Sequence, residues 1–309
     1  MRDNGKGSLR VLIVGAAGLL GRALMRRWAG RPGWEAFGAD IQPAGPGSLK
    51  LDILDGADVR RVLEETSPEV VVLTACNPHV DGCESDPFGT RRLNVDATLE
   101  TARLARAAKA RFIFFSSDYV FDGRRGGYRE EDEPRPLNEY GRQKLEVERE
   151  LAAMGEGALV VRVAALFGWE PHPKNYVLQV LSRLEQGLKA QAAADQDYTA
   201  TYVDSLAEAL ERLVQAKASG LFHLTGSQTL SRYDLARETA AAFGFDKGLV
   251  ESARMADFDR PGRAARPPHS ALDSSKADRL FGARVCGARE GLSHMRAAQT
   301  EWQETRRHG

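Results

Sequence analysis

The chain has 309 residues, 42% of them hydrophobic, and its 43 basic residues are matched by 43 acidic ones. Such a balance supplies no net field to draw the protein onto nucleic acid or an anionic membrane, so a small molecule is the expected partner. Length and apolar content suffice for one large or two intimately joined domains.

From residue 10 to about 165, short β-branched runs alternate with longer amphipathic stretches, the pattern of strand and helix units feeding a parallel sheet. Near-continuous apolar character, as burial on both faces requires, predicts strands over 10–14, 34–39, 70–75, 112–116 and 159–163, with a short one near 49–51. Apolar positions three or four apart predict helices over 19–28, 57–65, 90–108 and 139–153. Right-handed crossovers then make a doubly wound α/β sheet the economical topology. The charged run 124–135 reads as a solvated, mobile loop, and the first eight residues and the tail after Gln299 as disordered or frayed. Beyond Gly168 the pattern loosens, broken by Pro171, Pro173, Pro261, Pro267 and Pro268. This predicts a smaller, loop-rich lobe over 168–298, interleaved with the first through a helix at 202–214 and a strand at 221–224.

Two absences narrow the chemistry. Cys76, Cys83 and Cys286 have neither metal nor redox spacing, which predicts a reducing, cytoplasmic compartment. The six histidines, His79, His172, His223 and His269 among them, lack ligand spacing, so no metal centre is expected, although His79 and His172 follow strands and are placed to line a cleft. No stretch reaches the roughly 20 unbroken apolar residues of a membrane helix.

Gly15, Gly18 and Gly21 follow the first predicted strand and open a helix, with Leu19 and Leu20 between the last two. Glycines suit a tight turn that lets the backbone approach a pyrophosphate and brings helix close to strand. Some twenty residues on, Asp40 closes the second strand, where a carboxylate accepts bonds from the adenosine ribose hydroxyls. This expects a Rossmann domain over 9–167, with return segments near 200–226, holding NAD or NADP. Asp40 favours NAD, while Arg22 beside the turn is placed to offset that preference. Asp52 and Ile53 toward the adenine, Ala75 and Cys76 toward the nicotinamide ribose, and Asn94 complete the candidate cofactor set.

Ser117 ends the strand Phe114-Phe115-Ser116-Ser117 at the carboxyl edge of the sheet, and Tyr140 and Lys144 lie one helical turn apart on one face. A phenol titrates near 10, and a neighbouring ammonium together with an oxidised nicotinamide lowers that value. The trio therefore reads as a carbonyl-reducing set, in which Tyr140 gives a proton, Ser117 bonds the carbonyl oxygen, and Lys144 tunes the phenol and holds the ribose.

These residues resemble the extended short-chain dehydrogenase/reductase family over nearly the whole chain. Residues 116–123 (SSDYVFDG) and 136–141 (PLNEYG) leading to Lys144 are similar to the dTDP-4-dehydrorhamnose reductase group, as are Asp195-Gln196-Asp197, Thr201-Tyr202, Arg266-Pro267 and 272–276 (LDSSK). The resemblance implies reduction of a 4-keto-6-deoxy sugar nucleotide. Asp118, Tyr119, Asn175 and Arg266 are then candidate substrate contacts beside Ser117, and Lys174, Arg183, Arg263 and Arg266 are candidates for its diphosphate. From Ser116 through Lys144 the chain also resembles the regulatory β subunit of methionine adenosyltransferase, which implies a catalytically idle NADP-binding subunit as the alternative. An epimerase is a further one; a dehydratase is disfavoured because Tyr119, and not glutamate, follows Asp118. The sugar reductases carry a tryptophan after the sixth strand where Ala165 stands here, with Trp169 nearby as a compensating contact or as packing between lobes. A homodimer is left open.

Overall fold

Valines, leucines and isoleucines dominate the middle strands of one large sheet, because these strands are covered on both faces, and the buried Arg162 among them is paired with Glu148. The structure, a computed structural model, describes residues 7–43, 47–155 and 157–308. In chain order the first half runs β1 (Leu9–Val14), α1 (Leu19–Trp28), β2 (Trp34–Asp40), β3 (Leu49–Lys50), α2 (Gly56–Thr66), β4 (Val70–Leu73), α3 (Val80–Ser85), α4 (Pro87–Arg91), α5 (Thr98–Ala107), β5 (Arg111–Ser117), α6 (Glu139–Ala153) and β6 (Ala158–Val163). The second half runs β7 (Leu166–Phe167), α7 (Tyr176–Glu185), β8 (Ala190–Ala193), β9 (Asp197–Thr199), β10 (Thr201–Tyr202), α8 (Val203–Gln215), β11 (Gly220–His223), β12 (Thr229–Ser231), α9 (Arg232–Ala242), β13 (Val250–Ala253), α10 (Ser275–Phe281), α11 (Ala288–Ala297) and α12 (Gln299–His308).

Seven parallel strands lie in the order β11-β6-β5-β4-β1-β2-β3. The chain leaves β1 toward β2 on one side and returns to β4 on the other, so a crevice opens at the carboxyl ends of β1 and β4. One face buries Leu20, Leu24 and Trp28 of α1 with Leu206, Leu210 and Leu213 of α8, and the other buries apolar residues of α2, α5 and α6. Beyond β6, three two-stranded pairs (β7 with β10, β9 with β12, β8 with β13) carry α7, α9 and α11 around a separate core that includes Phe167, Tyr198, Tyr202 and Leu292. This smaller lobe forms the far wall of the crevice.

Three expectations are corrected. The helix expected over 90–108 is α4 and α5 joined by a π-helical stretch, Arg92–Ala97, in which Asn94 turns to bond Asn77 and Gln143. The charged run 124–135 is pinned: Tyr128 stacks on Phe121 at 4.1 Å, its backbone bonds Ala271, Arg129 pairs with Asp273, and Glu130 accepts from the His223 amide. The tail after Gln299 is helical, and Trp302 stacks on Trp169 at 6.3 Å. Of the first eight residues, 1–6 lie outside the described residues.

Candidate functional site

The glycine turn forms the floor of the crevice. Gly15 has φ +88°, and a Cβ there would lie 2.5 Å from the Ala75 nitrogen; at Gly21 it would lie 2.1 Å from the Gly15 carbonyl oxygen. Side chains are thus excluded where β1, α1 and β4 meet. Gly18, which precedes α1, has no side chain to cap its first turn, so the N–H groups there face the crevice as an anion cradle. Asp40 reaches this turn from β2: its Oδ2 accepts from the Ala17 amide at 3.0 Å and its Oδ1 from that of Gln42 at 3.1 Å. Arg22 is spent on the same turn, its Nε donating to the Ala17 carbonyl at 2.8 Å. These residues fit a dinucleotide.

The catalytic candidates converge because α6 approaches the end of β5 very closely. A Cβ on Gly141 would lie 2.1 Å from the Tyr119 carbonyl oxygen, so only glycine lets the first turn of α6 rest on the 3-10 turn Asp118–Val120. Asn138 caps α6, accepting from the Gly141 amide at 2.9 Å, and ties it to the smaller lobe by donating to the Ala265 carbonyl at 2.7 Å. Tyr140 then meets Tyr119 edge-on with ring centroids 6.0 Å apart, and the Lys144 Nζ sits 5.7 Å from the Tyr140 centroid. Lys144 is buried and donates to the Phe115 carbonyl at 2.9 Å, which fixes its ammonium between the sheet edge and the phenol. Burial holds the Tyr140 phenol well above its ordinary value, and Cys76 and Asp118 push it the same way.

Ser117 donates to Asp118 Oδ1 at 2.9 Å, while Ser270 of the smaller lobe donates to Oδ2 at 2.6 Å. Burial pushes the Asp118 carboxyl up to about 6 against the opposing pull of these two hydroxyls. All these groups line one cavity of 710 Å³ with Gly18, Leu19, Leu20, Gly21, Ala75 and Cys76. On its smaller-lobe side stand Asn175, whose Oδ1 caps α7, together with Lys174 and Arg266. Arg266 and Arg260 both pair with Asp81, whose carboxyl is thereby held down to about 2. The same wall holds Gln196, Tyr176, Tyr198 and Arg232.

Other candidates are placed elsewhere. Asp52 accepts from the Leu54 amide, Ile53 is buried in the core, and Asn94 lies behind the cavity wall; none of the three lines the cavity. Arg183 is spent on the Lys189 carbonyl, and Arg263 on Asp259 and the Met255 carbonyl, both away from it. Trp169 also points away, donating to the Met295 carbonyl at 2.8 Å, whereas Ala165 lines the cavity with φ +40°. His79 lines the cavity rim, accepting from the Gly82 amide. Among the described residues no group of three or more histidine, cysteine or acidic side chains could hold a metal, and no helix is long and apolar enough to cross a membrane.

Of the residues missed in the sequence, Gln196 lay within a stretch already singled out, whereas Tyr176 and Arg232 carried no local signal.

Comparison with known proteins agrees with this fold. Methionine adenosyltransferase 2 subunit beta of Bos taurus is 34% identical over 278 residues, 88% of this chain and 82% of its own length. The probable low-salt glycan biosynthesis reductase Agl14 of Haloferax volcanii is 31% identical over 94% of this chain and 98% of its own. Among solved structures, a dTDP-4-dehydrorhamnose reductase from Clostridium acetobutylicum superposes with a TM-score of 0.84 at 29% identity, over 94% of this chain and 99% of that one. Another from Bacillus anthracis, in complex with NADP, gives 0.84 at 25% identity over 93% and 98%. The family model described as RmlD substrate binding domain matches residues 9–300, and with glycine turn, sheet order and cleft all in place, the chain belongs to that family.

Proposed function

We propose that the protein is an NAD(P)H-dependent reductase of a 4-keto-6-deoxy sugar nucleotide. The observation that carries this reading is the arrangement of Tyr140, Lys144 and Ser117 along one wall of the cavity whose floor is the glycine turn. The dTDP-4-dehydrorhamnose reductases among its structural neighbours, one of them bound to NADP, support the same chemistry.

The nicotinamide, when bound, supplies the hydride. Tyr140 gives its proton to the substrate's carbonyl oxygen. Burial raises its hold on that proton, and the Lys144 ammonium beside it opposes that effect by stabilising the phenolate left behind. Ser117 orients the same oxygen by a hydrogen bond, its single hydroxyl hydrogen turning to the substrate from Asp118, toward which it points in the free protein.

A second reading, a regulatory NADP-binding subunit, is favoured by the 34% identity to methionine adenosyltransferase 2 subunit beta. Turnover separates them. Oxidation of NADPH or NADH is followed with dTDP-4-keto-6-deoxy sugars, for the parent and for Tyr140→Phe. The reductase reading expects turnover that falls by about 10²–10⁴ in the variant with cofactor affinity kept. An inert parent that binds cofactor and co-purifies with a methionine adenosyltransferase would overturn it in favour of the second.

A further inference from the structure

Arg162 of β6 and Glu148 of α6 form an ion pair inside the fold, with side chains 3% and 8% exposed. The contact is a fork: the Arg162 Nε donates to Glu148 Oε1 at 2.9 Å and its Nη2 to Oε2 at 2.6 Å. The guanidinium carbon lies 4.9 Å over the Phe121 ring, and Nη1 stands 3.4 Å from Nε2 of the buried His223 on the neighbouring strand β11. Burial, together with the Arg162 charge, holds that imidazole down to about 3, so it stays neutral and does not compete with Arg162 for the carboxylate.

Stability does not account for the pair. Attraction within a buried pair does little more than offset the cost of taking two charges out of water, and well-packed apolar side chains of similar volume often hold a fold as well or better. What a fork adds is direction, because two parallel N–H groups reach both oxygens at only one rotation and one height of the helix. Val147 and Leu151 beside it pack without such a constraint.

Three segments meet at this fork, and each leads into the candidate cavity. Glu148 lies on the side of α6 that carries Lys144 and Tyr140, one and two turns back, about 6 and 12 Å along the axis. Arg162 precedes Val163 and Ala165 of the cavity lining, and its register partner on β5 is Ser116, next to Ser117. Phe121 ends the turn that follows Ser117. Because Arg162 occupies both Glu148 oxygens, the carboxylate does not draw the Lys144 ammonium back along the helix; that ammonium donates to the Phe115 carbonyl at 2.9 Å instead.

We infer that Arg162 and Glu148 are positioning residues, whose fork sets the rotation and height of α6 on the sheet and thereby places the Tyr140 hydroxyl and the Lys144 ammonium at the reacting atoms. Misplacement of such a group by about 1 Å costs on the order of 10² in rate. The inference rests on the reductase reading for its effect on turnover and not for the placement itself.

The test compares the parent with the double variant Glu148→Leu, Arg162→Met, which replaces the pair by apolar side chains, and with Arg162→Lys, which keeps the charge and loses the fork. Each is followed by thermal melting, by steady-state reduction of dTDP-4-keto-6-deoxy sugars with NADPH, and by crystal structure. The double variant should melt within a few degrees of the parent while kcat falls by about tenfold or more and KM for the sugar stays within about twofold. Its Tyr140 hydroxyl should move by about 0.5 Å or more relative to Ser117. Arg162→Lys should lower kcat in the same sense. Parent-like kcat in either folded variant, a loss carried by KM alone, or an unmoved hydroxyl would overturn the inference; should the double variant not fold, Arg162→Lys decides. A displaced hydroxyl in a protein whose parent reduces no keto sugar would sink the reductase reading and leave the placement standing.

Discussion

Asp118 answers to both lobes, one oxygen accepting from Ser117 and the other from Ser270. Its carboxyl, pushed up to about 6 by burial from an ordinary 3.8, binds a proton more readily folded than unfolded. Between those two values the folded state holds more protons, so its contribution to stability falls as pH rises through that window. Asparagine at 118 removes the titration. The stability of the parent relative to Asp118→Asn, from urea denaturation at several pH values, should therefore decline from about pH 4 to 6 and level off above; a constant difference would show that burial does not perturb this carboxyl. Asp40 poses a question of charge instead. Its carboxylate already faces the glycine turn through the Ala17 amide, where it would repel a 2′-phosphate, so Asp40→Asn should shift the ratio of NADP to NAD affinity toward NADP by about tenfold. Equal shifts for both cofactors would mean that Asp40 only braces the turn. The convergence of Ser117, Tyr140 and Lys144 on one cavity could be read in the sequence because their logic is local, a strand end and one turn of helix. Arg232 could not, since Tyr176, over whose ring its guanidinium lies, is 56 residues away.

Elements meet here through missing side chains. Gly141→Ala would drive a Cβ against the Tyr119 carbonyl, a backbone atom that cannot rotate aside, so α6 must lift from the turn at Asp118–Val120. Overpacking of this kind costs about 1–3 kcal/mol. Because Tyr140 precedes the displaced residue, turnover should fall further than the stability loss alone would cause. The check is a denaturation curve beside steady-state kinetics at a temperature where the variant is fully folded; unchanged kcat in a destabilised protein would show that the contact serves folding only. The limits of α6 were legible because Asn138 caps it and its apolar spacing is regular. The π-helical stretch at Arg92–Ala97 was not, since one extra residue in a turn leaves the surrounding helical spacing almost intact. Nor was α3, six residues with a glycine inside and too short to show a period. The ordered run 124–135 shows the same limit from the other side: a string of charges reads as solvated until Asp273 and the His223 amide, far along the chain, come to meet it.

At the scale of the molecule, the polar C-terminal helix α12 is too short to be stable alone in water, where about 12–15 residues are needed. Its anchor is Trp302, stacked on Trp169, which in turn bonds the Met295 carbonyl of α11 and meets Phe243 of the smaller lobe edge-on. These two indoles, with Met25 of α1 and Ala36 and Gly38 of β2, wall a cavity of 530 Å³ on the α1 side of the sheet, away from Tyr140. The tail is thus held to the smaller lobe and faces α1 and β2 across this cavity, on the far side of the sheet from Tyr140. Trp302→Ala should remove the stack that holds it. We expect amide exchange to speed up across 299–304 and stability to fall by about 1–3 kcal/mol, toward the lower part of the range for aromatic truncation because Trp302 is only half-buried. Turnover at a temperature where the protein stays folded should be preserved, since Trp302 and its stacking partner Trp169 both lie outside the lining of the candidate cavity. If exchange across the tail is instead unchanged, the helix is held by its polar contacts and the indole stack is incidental; if kcat falls while stability holds, the packing of the tail sets the shape of the candidate cleft on the other side.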